Sequence, residues 1–104
     1  ECMLRGELQA EEACARGLAH LGTGPVTLEV DLDAIACVPA SAATPSGLSA
    51  EQVRAMVYRV SSAAEVTAIH VCEGIPGDGD PLGVGKLAAL LACDFIKARQ
   101  GRGR

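Results

Sequence analysis

Aromatic residues are almost missing from this sequence: Tyr58 and Phe95 are the only two among 104 residues, and there is no tryptophan. Proteins that bind single-stranded nucleic acid stack bases on aromatic rings, and two rings are too few for such a surface. The chain has 9 lysines and arginines against 13 aspartates and glutamates, a formal charge of −4. Because nucleic-acid binding needs a basic surface, we expect no nucleic-acid partner.

The cysteines lack the close spacing that metal and redox motifs need. None of the five forms a C-x-x-C pair, which excludes zinc ribbons and thioredoxin-like motifs. Most lie among small or apolar residues, as is typical of reduced thiols in the cytosol. No apolar run reaches the ~18 residues of a membrane span, and the N-terminus does not resemble a signal peptide. We expect a cytoplasmic protein without a membrane partner.

The remaining composition indicates one folded domain. Hydrophobic residues make up 49% of the chain and the mean hydropathy is +0.25, whereas disordered chains combine low hydrophobicity with high charge. Periodicity and turn residues predict three helices that alternate with two strands. They occupy residues 7–21 (helix), 26–31 (strand), the segment after Ser49 (helix), 66–71 (strand) and 84–97 (helix). This order predicts an α/β fold with parallel strands.

Two details of these elements carry specific expectations. Ser49 and Gln52 have the spacing of a capping box, which predicts a helix start there, and the serines at 61 and 62 are expected to end that helix. The strand at residues 66–71 is mostly apolar, so we expect both of its faces to be buried. His70 lies in this strand, and we favour a structural role for it over direct catalysis.

Acidic side chains follow both predicted strands. Asp31 and Asp33 come at the end of the first strand, where residues two apart would share a face, and Glu73 follows the second strand. The carboxyl ends of parallel strands meet at one edge, where ligands of open α/β sheets bind. Carboxylate oxygens suit Mg²⁺, Mn²⁺ or Ca²⁺. A D-x-D pair alone is a weak signal, because it also arises by chance at strand ends.

The glycine-rich segment at residues 77–86 fits neither of the two motifs that it superficially suggests. A P-loop requires glycine at Asp80 and serine or threonine at Leu87, and an EF-hand that starts at Asp78 requires glutamate at Ala89. A solvated turn that precedes the last helix is the better interpretation.

Several segments together resemble the carboxyl-terminal part of the ureohydrolase superfamily, which includes arginase, agmatinase and formimidoylglutamase. The matching segments are residues 30–35 (VDLDAI), 44–49 (TPSGLS), 70–74 (HVCEG) with Pro76, 85–88 (GKLA) and 94–97 (DFIK). The resemblance as a whole runs from about residue 26 to residue 97. The loop at 44–49 and the DFI sequence look most like the formimidoylglutamase branch.

The resemblance implies a three-layer αβα fold with a mainly parallel sheet. It also implies hydrolysis of C–N bonds in linear amidines by water that two Mn²⁺ ions activate. By position, Asp31 resembles the bridging carboxylate and Asp33 a ligand of one metal. Glu73 resembles the residue that pairs with the substrate's amidinium group, and Thr44 the threonine that lines the substrate pocket. The family's known assemblies imply a homo-oligomer.

The family's other metal ligands, in a histidine motif and an Asp-x-His-x-Asp motif, do not occur in this chain. We therefore expect residues 1–104 to be the carboxyl-terminal part of a longer ureohydrolase domain, inactive alone, with residues 98–104 as a flexible tail. The alternatives are a non-catalytic α/β module that retains the fold without metal, and an ordinary acidic domain with an incidental D-x-D.

Overall fold

The computed structural model describes residues 9–77 and 83–102. These residues form three helices and two strands in the predicted order, with a short 3-10 helix after the first strand. The elements are α1 (Ala10–His20), β1 (Pro25–Asp31), η1 (Leu32–Ala34), α2 (Ala50–Ala63), β2 (Glu65–Cys72) and α3 (Val84–Arg102). The first predicted residues of α1, at positions 7 and 8, lie outside the described residues, as do residues 78–82 of the glycine-rich segment.

The two strands pair in parallel, so the chain has an α/β fold. In the register of the sheet, Glu29 lies opposite His70 and Asp31 opposite Cys72. The carboxyl ends of both strands therefore lie at one edge, next to the loops that begin at Leu32 and Glu73. Since the crossover from β1 to β2 contains α2, this helix must pack against the sheet it connects.

The hydrophobic core lies on a single face of the sheet. Val30 packs with Leu32 and Ile35 after β1, and with side chains of α2 and α3 that include Val57 and Leu91. Side chains of β1 alternate between this core and solvent, as expected for a strand with one covered face.

The expectation that β2 is buried on both faces is wrong for the described residues. Val66 is fully buried, but Thr67, Ala68 and His70 are exposed. The reason is that α2 and α3 both contact the same face of the sheet. Helix α1 packs against α2 instead of the sheet, and there Arg59 Nη1 donates to the carbonyl of Glu11 at 3.2 Å.

Helix α2 begins at the predicted capping box. The Gln52 amide donates to Ser49 Oγ at 3.0 Å, and the Ser49 amide donates to Gln52 Oε1 at 2.9 Å. The helix does not end at Ser61 and Ser62 but continues to Ala63. Ser62 Oγ donates to the Tyr58 carbonyl one turn back at 2.8 Å, a bond that serine makes within a helix.

Helix α3 is longer than predicted. Residues 98–102, which we expected in a flexible tail, continue the helix to Arg102, whereas residues 103 and 104 lie outside the described residues. Ala98 is 1% exposed and follows Leu91 by two turns, so it extends the same buried stripe. Within the described residues, no helix is long and apolar enough to cross a membrane.

Candidate acidic site at the carboxyl edge of the sheet

Asp31 and Asp33 come together through a local turn rather than through strand alternation. Asp31 is the last residue of β1, but Asp33 already lies in η1, so the expectation of two strand residues on one face is wrong. Instead, Asp31 Oδ1 accepts a hydrogen bond from the Asp33 amide at 2.9 Å and caps the 3-10 helix. The short side chain of aspartate favours this turn.

Asp33 is held by the loop that follows η1. Its Oδ1 accepts from the Ala42 amide at 2.8 Å, and its Oδ2 accepts from the Ser41 hydroxyl at 3.1 Å. Two donors on neighbouring residues are thus within reach of the two oxygens of this carboxylate. Because charged acceptors form the stronger hydrogen bonds, these contacts also hold the loop against the sheet edge.

Glu73 directly follows β2 and has a left-handed backbone conformation with φ of 71°. Its carbonyl accepts from the Ser41 amide at 2.9 Å, and the Ile75 amide donates to the Pro39 carbonyl at 3.0 Å. Ala40 and Gly74 form the antiparallel bridge between these bonds. This short ladder holds Glu73 in a conformation that non-glycine residues rarely adopt.

Ser41 joins the two carboxylates that come from different strands. Its hydroxyl contacts Asp33 Oδ2 and also Glu73 Oε2. A hydroxyl has one hydrogen, so Ser41 can donate to only one of the two carboxylates at a time. Two negative groups thus face one another across a single oxygen, and a cation placed between them would reduce their repulsion.

Sequence reasoning missed Ser41. The residue lies in a loop of small residues, and its only signal is a hydroxyl among three alanines at positions 40, 42 and 43. Its importance follows from the contact with Glu73, 32 positions further along the chain.

Two glycines allow the close backbone approaches that shape this edge. A Cβ at Gly74 would clash with the Val84 side chain and lie 2.8 Å from Leu32 Cδ1. A Cβ at Gly47 would lie 2.6 Å from the Ala34 carbonyl oxygen, because Leu48 and Ala34 pair through their backbones there. Both positions therefore require glycine for packing reasons.

The pKa of the Cys72 thiol is sensitive to the carboxylates at this edge. Burial raises the pKa of this thiol above its usual value, and the negative charges of nearby carboxylates raise it further. The contributing carboxylates are those of Asp31, Glu73, Glu29 and Asp33. Four carboxylates thus act on one point, so the potential at this end of the sheet is negative.

Thr44 and His70 do not join the carboxylates. Thr44 Oγ1 accepts from the Ser46 amide at 3.2 Å and contacts the Ser46 carbonyl at 3.1 Å, a turn within its own loop. The His70 side chain is 62% exposed, and its Nδ1 lies 3.6 Å from Glu29 Oε1. The expectation that His70 is buried is wrong because it points to the face of the sheet away from the core.

A groove elsewhere in the fold lacks this chemistry. It lies between α1 and α2, has a volume of about 580 Å³, and its lining includes Cys14, Met56 and Arg59. None of the three candidate carboxylates lines it. We therefore place the candidate site at the sheet edge and not in this groove.

The carboxylate oxygens at this edge are the type of ligand that a hard cation prefers, but there are too few of them for a metal centre. Mn²⁺ binds carboxylate oxygens readily, yet residues 9–77 and 83–102 contain no group of three or more histidine, cysteine, aspartate or glutamate side chains arranged to hold a metal ion. The described residues alone do not form a dimanganese centre. No protein-family model matches the chain, and no curated protein matches it.

Proposed function

We propose that this chain supplies the acidic side chains of the active site, Asp31, Asp33 and Glu73, in a hydrolase of linear amidines. Substrates of this class include formimidoylglutamate, arginine and agmatine, which share a planar cationic end. The observation that carries the proposal is the contact of one hydroxyl, that of Ser41, with carboxylates from both strand ends, Asp33 and Glu73. The segments at residues 30–35 and 70–74 that resemble ureohydrolases contain these two carboxylates.

The proposal gives each acidic residue a separate role. Asp31 and Asp33 would both be ligands of a manganese pair, which would supply activated water. Glu73 pairs with the amidinium group, because a carboxylate can accept two parallel hydrogen bonds from a planar pair of nitrogens. For Thr44 the role in lining the substrate pocket would rest on the resemblance alone, since its hydroxyl bonds to Ser46. Ser41 orients the carboxylate of Asp33 relative to that of Glu73.

The full site requires residues beyond those described. Two aspartates leave a manganese pair short of ligands, so histidine and aspartate ligands must come from elsewhere in the complete polypeptide. We propose that this polypeptide has the three-layer αβα fold of arginases, acts in the cytoplasm as a homo-oligomer, and is inactive when reduced to these 104 residues.

The test is a hydrolysis assay on the complete polypeptide that contains this chain, purified with Mn²⁺. Asp31→Asn and Asp33→Asn should each lower kcat/KM by at least about 100-fold, since even residues that only support a metal ligand cost 10–100-fold. Glu73→Gln should lower kcat/KM for cationic amidines through a higher KM, because it removes the charge that pairs with the substrate.

Glu51→Gln is the matched control. It removes a carboxylate from the exposed first turn of α2, on the covered side of the sheet, and should leave the rate unchanged. Unchanged turnover in both aspartate variants would refute the proposed site.

The second candidate is a non-catalytic α/β module. It would retain the fold without metal, and the described part of the chain contains no group of three or more metal-ligating side chains. In that case the complete polypeptide would hydrolyse none of the three amidines with Mn²⁺, and Asp31→Asn would leave both its metal content and its folding unchanged.

A further inference from the structure

A hollow lies beside the acidic edge, between the starts of α2 and α3 and the loop that precedes Ser41. We call it the α3 pocket; it has a volume of about 400 Å³, within the range of sites that bind small molecules. Its wall is mostly apolar and includes Val38, Pro39, Ala50, Val84, Leu87 and Leu90. The three candidate carboxylates do not line it, so the pocket is a separate compartment next to them.

Direct contacts connect the α3 pocket with the candidate site. Val84 on the pocket wall lies against Gly74, the residue that follows Glu73. Pro39, also on the wall, precedes Ser41 by two residues, which is at most about 7 Å of extended chain. The Ser41 hydroxyl in turn contacts the Glu73 carboxylate. A molecule held at Glu73 therefore has the α3 pocket as its immediate neighbour.

Lys86 is the only charged side chain among the described residues that line the α3 pocket. It lies in the first turn of α3 and is exposed, although the positive end of a helix dipole disfavours a cation. No ion pair of Lys86 occurs within residues 9–77 and 83–102. Neither the helix nor a carboxylate in this part of the chain accounts for the lysine, whereas an anion that enters the pocket would pair with it.

We propose that the α3 pocket receives the far end of the amidine substrate and that Lys86 pairs with a carboxylate there. The inference rests on the proposed function and narrows its substrates to amidines that also carry a carboxylate, such as formimidoylglutamate and arginine. In these molecules three to six bonds of about 1.5 Å each separate the amidine carbon from a carboxylate carbon, so the charged ends lie roughly 4–8 Å apart. This length is comparable with the two residues of chain between the pocket wall and Ser41.

Charge complementarity selects the occupant of the pocket. The apolar wall suits the methylene chain of any of the three amidines, because burial of apolar surface is favourable whatever the far end carries. Only the far end distinguishes them. Agmatine is arginine without its carboxylate and ends in an ammonium group, which Lys86 would repel, since like charges placed opposite each other disfavour a complex.

The test compares arginine with agmatine as substrates of the complete polypeptide, purified with Mn²⁺. Lys86→Gln should raise KM for arginine and formimidoylglutamate by about tenfold, the effect of losing one hydrogen bond to a charged group. Since this binding is shared by the ground state and the transition state, kcat should hardly change. KM for agmatine should stay the same or fall. Lys86→Glu should reverse the preference, because its carboxylate would attract the ammonium group.

Lys97→Gln is the matched control. It removes another exposed lysine of α3, about three turns further along the helix, and should leave KM unchanged for every substrate. Glutamine and glutamate are good helix formers, and glutamate is favoured in a first turn. We therefore expect both Lys86 variants to fold, which circular dichroism checks.

Two results would overturn the inference and leave the proposed function standing, because hydrolysis itself would have been observed. One is that Lys86→Gln changes KM for arginine and agmatine equally or changes neither. The other is that the unmodified polypeptide hydrolyses agmatine but neither of the two amidines that carry a carboxylate. If the polypeptide hydrolyses none of the three, the proposed function fails and the inference fails with it.

Discussion

Arg54 and Asp94 join α2 to α3 through a bidentate ion pair. Arg54 Nε lies 2.8 Å from Asp94 Oδ2, and Arg54 Nη2 lies 3.1 Å from Asp94 Oδ1. The Asp94 side chain is only 11% exposed, whereas that of Arg54 is 31% exposed. The hydrogen bonds that Arg54 donates to Asp94, together with the negative charge of that carboxylate, raise the pKa of Arg54, so the arginine stays charged. Asp94 thus has a structural role between two helices.

Removing the side chain of Arg54 should destabilise the fold more than removing that of the exposed Arg16. Arg54→Ala leaves the mostly buried Asp94 carboxylate without its cation, and we expect a loss of about 2 kcal/mol in the free energy of unfolding, below the full cost for a completely buried pair. Urea denaturation measures this. Arg16→Ala breaks an exposed pair with Glu12 and should cost under about 0.5 kcal/mol; equal losses would contradict the prediction.

The stability of the chain should fall at alkaline pH. Burial raises the pKa of the Cys14 thiol, an effect that Arg59 partly offsets, so the folded state keeps the thiol proton to higher pH than the unfolded state does. The resulting stabilisation is complete below the thiol pKa of the unfolded chain, about 8.5, and is lost as pH rises through the raised folded value.

Denaturation curves between pH 7 and 11 measure this effect. Cys14→Ala should flatten the alkaline decline, because alanine has no proton to lose. Cys93→Ala replaces an exposed cysteine of α3 and is the control. A decline of the same steepness in Cys14→Ala and in the unmodified chain would argue against the assignment.

Ser61→Ala should leave the fold equally stable or make it more stable. Ser61 is fully buried in α2, and its hydroxyl has no hydrogen-bond partner in the part of the chain that the structure describes. An unpaired buried hydroxyl costs about 1–3 kcal/mol, which alanine avoids. Thermal unfolding should show an equal or higher Tm, with the exposed Ser62→Ala as the comparison. A large decrease for Ser61→Ala would mean that the hydroxyl has a partner.

Gly47→Ala should destabilise the loop that leads into α2. The added methyl group would approach the Ala34 carbonyl oxygen and the Ala36 amide nitrogen, both backbone atoms that cannot rotate away. We expect a loss of about 2 kcal/mol, within the usual range for strain in a packed region. Gly85→Ala meets nothing within 4 Å in helix α3 and should gain about 0.5 kcal/mol. Chemical denaturation of both variants distinguishes these opposite signs.

Local features of this fold could be predicted from the sequence. The capping box at Ser49 and Gln52 depends on residues three positions apart, so its spacing alone is informative. The alternation of strands and helices likewise predicted the parallel sheet, and the acidic residues at the strand ends predicted the edge where carboxylates gather.

Features that depend on distant contacts could not be predicted. The apolar run of β2 predicts two buried faces, but its burial depends on which face the helices contact. The exposure of His70 follows from the same choice. Ser41 joins Asp33 to Glu73 only because two loops pair at the sheet edge, and no local pattern records that pairing.

The left-handed backbone conformation at Glu73 makes a carboxylate side chain at this position costly for stability. A residue other than glycine or asparagine in that conformation costs about 1 kcal/mol or more. A library selected only for resistance to heat or protease should therefore enrich glycine or asparagine at position 73 and discard the carboxylate. Directed evolution for robustness would remove the side chain to which we assign the recognition of cationic substrates.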